Sequence, residues 1–271
     1  MSTSANTVNN LNNARLQETP LPAAEYNRLP HIDGMKEAAA NHAKAHAVLL
    51  GLIAAHGLSG TFSLHLVHKH FAIPKGRIMV YEKVESMAHK DFVLCSPKVP
   101  QNCHSARGLY FKAAQGGSMI AYEFTTEPGA DLAGHEDFVA KFASAVLKFG
   151  VEDVFALTAL SICPQDKILT ELEIGHVQST VLVSDASWLP AHEIVASTST
   201  DWTATPDYAQ YAGGSVPGIV QLKVPPNSSR EPLQRHVQQN TERNLYRPCP
   251  RSYFWRSAHG LYLENQWGRS S

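Results

Sequence analysis

One local pattern occurs twice in this chain, and it limits the folds open to it. His56-Gly57-Leu58-Ser59-Gly60-Thr61-Phe62-Ser63-Leu64 resembles Phe149-Gly150-Val151-Glu152-Asp153-Val154-Phe155-Ala156-Leu157. Each copy follows a helical stretch, places glycine where a helix ends, and leads into a strand. The strands that come next also match in kind, residues 77–84 against 167–174, and a third follows each, 91–96 and 179–184. Before the second copy, Phe138, Val139, Phe142, Val146 and Leu147 line one side of a helix over 135–149. Before the first, the alanines and leucines of 35–56 favour a helix. The expected fold class is therefore α+β: two αβββ-like halves, 35–96 and 135–184, that form a mixed or antiparallel sheet core. The alternative is that the two junctions look alike because helix capping is alike everywhere.

Around this core, 34–190, the sequence changes character. Residues 1–33 hold Pro20, Pro22 and Pro30 without sustained periodicity and read as an irregular arm. Residues 191–271 read as irregular structure and short strands, with 194–200 and 218–224 the candidate strands. Tyr246, Tyr253, Phe254, Trp255, Tyr262 and Trp267 argue that the end of the chain wraps over the domain and is not disordered.

Bulk properties exclude several classes. The formal net charge of −1 gives no whole-chain attraction to nucleic acid or acidic membranes. Cys95, Cys103, Cys163 and Cys249 make no CxxC pair and read as free thiols of a reducing compartment. Met1 to Asn13 lacks the basic and apolar runs of a secretory signal. The most apolar run, 48–55, is too short to span a bilayer. A cytoplasmic protein without membrane contact is expected. No glycine pattern matches a nucleotide fingerprint, so no nucleotide cofactor is expected.

The residues that could carry chemistry centre on Leu64-His65-Leu66-Val67-His68-Lys69-His70-Phe71. On a continuous strand, Phe62, Leu64, Leu66, His68 and His70 share one face, and His65 points to the other. Imidazole is a common metal ligand and transfers protons near neutral pH. A three-residue loop, 74–76, would pair this strand with 78–84 and set His68 opposite Glu82. The expected site is then His68, His70 and Glu82, as an acid/base cluster or a divalent metal centre with His68 and His70 as ligands. A two-residue turn would instead remove Glu82 from the group. Glu123, in Ala121-Tyr122-Glu123-Phe124, is a buried carboxyl candidate for general acid/base work, or else a structural partner of an arginine. Glu171 and Glu173 share a strand face and are assigned to solvent. Ser161 and Cys163 occupy the places in the second repeat that match His68 and His70.

Residues 66–71, 121–124, 149–155 and 171–175 together resemble a group of uncharacterised fungal proteins, over roughly 58–190. The resemblance implies no activity. The residues themselves favour a small-molecule enzyme using histidine and carboxylate chemistry: isomerisation, cyclisation, elimination or hydrolysis, of a kind suited to specialised metabolism. A ligand- or haem-binding protein using the same histidines is the alternative, and a scaffold whose arm and tail make a homo-oligomer is a third. The basic, aromatic tail allows an RNA-binding reading, which the near-neutral total charge disfavours.

Overall fold

A computed structural model describes residues 16–84, 92–103, 105–129, 131–160, 168–184, 194, 196–204 and 215–223. The elements run β1 (Leu16–Gln17), α1 (Ala23–Tyr26), α2 (Ala38–Asn41), α3 (Ala43–Ala55), β2 (Phe62–Leu66), β3 (Ile78–Val84), β4 (Phe92–Lys98), β5 (Arg107–Ala113) and β6 (Met119–Thr125). Then come α4 (Glu136–Phe149), β7 (Phe155–Ala159), β8 (Leu169–Ile174), β9 (Ser179–Val183), β10 (Ala196–Ala204) and β11 (Ser215–Lys223).

The expectation of an α+β sheet core made of two αβββ-like halves is overturned. Ten strands form a closed barrel in the order β6-β3-β4-β9-β8-β11-β10-β2-β7-β5, with β5 returning to β6. Strand β1 adds to β6 beside the ring. Two things defeated the sequence reading. Strand β5 was not anticipated, and the candidate strands 194–200 and 218–224, which the structure shows as β10 and β11, were placed outside the core sheet. Without these three, the strands cannot meet around a ring. The aromatic tail, 224–271, lies outside the described residues, as do Ser161 and Cys163.

Pairing registers show a pseudo-twofold arrangement in which each half is one helix and five strands. β3 pairs in parallel with β6, and β8 in parallel with β11; the other neighbours in the ring are antiparallel. Met79 faces Glu123 as Leu169 faces Ile219, and Tyr81 faces Thr125 as Glu171 faces Gln221. On the axis, β2 pairs with β7 and β4 with β9. Both helices end at a left-handed glycine, Gly57 and Gly150. After each, the same backbone bonds recur: Leu58 N to Ile53 O, and Val151 N to Val146 O.

Helices α3 and α4 cover part of the outer face. Leu49, Leu50 and Ile53 of α3 and Phe138, Val139, Phe142 and Val146 of α4 pack on Phe62, Leu64, Leu66, Phe111, Phe155 and Leu157. These strand residues point outward, so the alternate positions point into the barrel, where Tyr81, Cys95, Tyr110, Tyr122 and Leu182 meet. An irregularity in β5 and β6 reverses the alternation locally. Leu109 and Tyr110 both turn inward, as do Tyr122 and Glu123, while Phe111, Ala121 and Phe124 stay with the outer core. The matching irregularity in β10 lies around Asp201.

Gly108 sits at this irregularity, and a Cβ there would lie 2.3 Å from the Phe111 ring. Gly108→Ala is expected to destabilise the protein by about 1–3 kcal/mol. Urea unfolding of the two proteins checks this, and equal midpoints would contradict the packing.

Candidate functional site

The polar residues of the barrel interior gather where β2 ends. Regular pairing of β2 stops at Leu66, although Val67 N still donates to Val154 O. Lys69 is then held by a different segment: its N donates to Pro30 O, and its carbonyl accepts from Ile32 N. His31 Nε2 donates to His70 O at 2.7 Å. Lys69 Nζ donates to Asn27 O and, at 2.7 Å, to Leu29 O. The arm expected to be irregular thus fixes the backbone on which both histidines stand.

This break in the strand corrects the expected facing. Phe62, Leu64 and Leu66 look outward to the helices, while His68 and His70 turn inward. His65, expected to point away from them, also faces the interior, its ring 5.3 Å from that of His68. Glu82 does not join them. β2 pairs with β7 and β10, whereas β3 pairs with β4 and β6, so the expected hairpin does not form. Glu82 lies on the outer side of the barrel wall, buried against Lys98 Nζ.

The carboxylate that meets the histidines is Glu171, assigned from sequence to a solvated face. It is 2 % exposed. Glu171 Oε1 lies 3.1 Å from His70 Nε2, and Oε2 lies 3.9 Å from His68 Nε2. The two Nε2 atoms are 3.2 Å apart. Glu173 Oε2 lies 3.7 Å from His70 Nδ1, and Gln221, with its amide turned to satisfy both ends, donates to Glu171 Oε2 at 3.1 Å. The even spacing of Glu171 and Glu173 was visible, but barrel closure decides which side of a strand meets water.

Proton positions follow from the partners. His68 Nδ1 lies 2.7 Å from Leu66 O, which can only accept, so Nδ1 carries the proton and Nε2 presents its lone pair. Burial, with His70 and His65 nearby, takes His68 down to about 3, and it is neutral at pH 7. Burial alone would lower His70 too, but Glu171 and then Glu173 overcome it and hold His70 up to about 10. Burial would raise Glu171, but His70 brings it down to about 2. The resting cluster is therefore neutral imidazole, imidazolium and carboxylate. Glu171 Oε1 meets His70 as an ion pair and accepts no hydrogen bond among the described residues.

Glu123 is inside the barrel as well, but its partners are tyrosines and not an arginine. Tyr26 OH donates to Oε1 at 2.8 Å and Tyr81 OH to Oε2 at 2.9 Å. Burial raises Glu123 to about 7, against the opposing pull of these hydroxyls and of His70. The twofold arrangement explains why the site is one-sided. Glu171 occupies the position that Tyr81 holds in the other half, and Glu123 the position of Ile219.

Among the described residues, His68, His70 and Glu171 form the group able to hold a metal ion, with one ligand atom from each within 4.8 Å of the others. Two atoms each bound to one zinc-sized ion at near-tetrahedral angles are about 3.3–3.4 Å apart. Two of the three separations, 3.2 and 3.1 Å, come close to this, and the third, from His68 to Glu171, is 3.9 Å. No described helix is long and apolar enough to cross a membrane.

Glu171→Gln removes the charge that raises His70. In metal-free protein, the His70 ring resonances should titrate near 10, and in the variant markedly lower, because burial, the largest influence, is then opposed only by Glu173 and Glu123. The stability linked to His70 is fully present below pH 6.5 and is lost as pH rises through about 10. The variant should lose that alkaline decline in its unfolding free energy. An unchanged His70 titration by NMR would contradict the ion pair.

The chain matches no protein-family model, no curated protein and no solved structure.

Proposed function

We propose that the protein is a metal-dependent enzyme acting on a small molecule inside the barrel, with His68, His70 and Glu171 as ligands of one divalent transition ion. The observation that carries this reading is the convergence of three buried ligand atoms on one another, two imidazole nitrogens and a carboxylate oxygen. His68 is fixed through Nδ1, so its Nε2 lone pair points at His70 Nε2, 3.2 Å away, and can coordinate once the His70 proton leaves. Glu171 Oε1 is buried and accepts no hydrogen bond among the described residues. Charge supports the same reading. Glu123, Glu171 and Asp201 are buried inside the barrel, and none has a lysine or arginine partner among the described residues. Against these carboxyl groups stands the His70 imidazolium, and a divalent cation would balance more of their charge.

When bound, the ion would act as a Lewis acid toward an oxygen of the substrate. Glu123 would move the proton. With its affinity for a proton near neutrality, it both gives and takes one at physiological pH. Tyr26 and Tyr81 hold its two oxygens and orient it. Two ligand histidines, one ligand carboxylate and a separate buried carboxyl suit proton transfer beside a polarised carbonyl, as in isomerases and lyases.

Metal binding must displace the His70 proton, because His68 is already neutral and Glu171 already ionised. The full-length protein is expected to bind about one Zn²⁺ or Co²⁺ per chain at pH 7 and to release about one proton. Calorimetry in buffers of different ionisation enthalpy measures both quantities. His68→Ala and His70→Ala should each lower affinity by at least a hundredfold with the circular-dichroism spectrum retained. Metal content that is negligible in wild type, or unchanged in both variants, refutes the proposal.

A further inference from the structure

We infer that the barrel interior beside the His68, His70 and Glu171 centre holds a second binding subsite, formed by His65, Tyr122 and Asp201, for a neutral hydroxyl group of the substrate. It shares with the metal proposal the premise that the substrate enters the barrel. All three side chains are nine-tenths buried or more, with exposures of 2 %, 2 % and 0 %. Each carries a buried polar atom without a hydrogen-bond partner among the described residues: His65 Nδ1, Tyr122 OH and Asp201 Oδ1. Buried polar atoms are paired in the great majority of cases, so three within one neighbourhood call for a common partner.

The surrounding contacts fix these groups in place. Asp201 Oδ2 accepts from Thr158 Oγ1 at 2.7 Å, which leaves Oδ1 as its open acceptor. Asp201 pairs with His65 across β10 and β2, and Oδ2 lies 3.5 Å from His65 Nδ1. The His65 ring lies flat on Tyr110, with centroids 3.7 Å apart and planes within 9°. Tyr122 lies beside this stacked pair, its ring centroid 6.4 Å from His65 and 6.1 Å from Tyr110.

The chemistry of the open atoms selects the ligand group. A carboxylate oxygen only accepts, so the ligand must donate to Asp201. Burial and the charges of Glu123 and Asp201 keep the Tyr122 hydroxyl protonated, and it donates, so the ligand must also accept. A hydroxyl does both. A carboxylate or phosphate of the substrate could not donate and would face Asp201, Glu123 and Glu171. An ammonium could not accept.

The test uses metal-free, full-length protein and three one-ring probes: phenol, toluene and benzoate. Ligand-observed saturation-transfer NMR titrations give their affinities. Phenol is expected to bind at least tenfold more tightly than toluene or benzoate. Tyr122→Phe and Asp201→Asn should each weaken phenol by about tenfold or more. Tyr122→Phe removes an unpaired buried hydroxyl and should also raise the melting temperature by roughly 2–4 °C. The subsite is refuted if phenol does not bind, if toluene or benzoate binds as well, or if Tyr122→Phe lowers the melting temperature and leaves phenol binding unchanged. Because no metal is present, failure here is separate from failure of the metal centre, which is judged by stoichiometry.

Discussion

Closure of the barrel is the constraint on which the rest depends. Strand β5 bonds to β7 on one side and to β6 on the other, and this joins the two ends of the sheet. In an open sheet, the face carrying His65, Tyr81, Glu123, Glu171 and Asp201 would be an ordinary wet surface. Once closed, it becomes an interior in which these groups can find partners only in each other or in a bound species. Burial then drives His68 to neutrality, while Glu171, helped by Glu173, holds His70 charged. The site is thus a consequence of topology as much as of residue choice.

The pseudo-twofold arrangement supplies the scaffold, and departures from it supply the chemistry. Equivalent strands share registers, parallel partners, helix caps and the irregularity in the ladder. Equivalent inward positions do not share side chains: Tyr81 corresponds to Glu171, Thr125 to Gln221, and His65 to Thr158. A symmetric shell can therefore present basic, acidic and phenolic groups toward one off-axis point.

The histidine pair and Glu123 could be found from the sequence because their types and neighbours are unusual for a strand. The junctions that end at Gly57 and Gly150 were visible for the same reason, since left-handed helix ends select glycine. Other features depend on partners distant in the chain. Alternation showed that Glu171 and Glu173 share a side but could not say which side is interior, because closure sets that. Glu82 has the same periodicity as an inward residue of a hairpin, yet β2 finds β7 and β10 and not its neighbour β3. The inward turn of His65, His68 and His70 together depends on where strand pairing stops, and that is set by residues 30–32 reaching Lys69.

The interleaving of the halves also fixes when the centre can form during synthesis. Strand β2 leaves the ribosome well before either neighbour, since β7 begins at Phe155 and β10 at Ala196. Until Glu171 has emerged and β8 has docked on β9 and β11, His70 lacks the carboxylate that holds it charged. His68, His70 and Glu171 therefore come together late, across long sequence separations of the kind that slow folding. The nascent N-terminal half must keep its unpaired strand edges from other chains until β11 arrives.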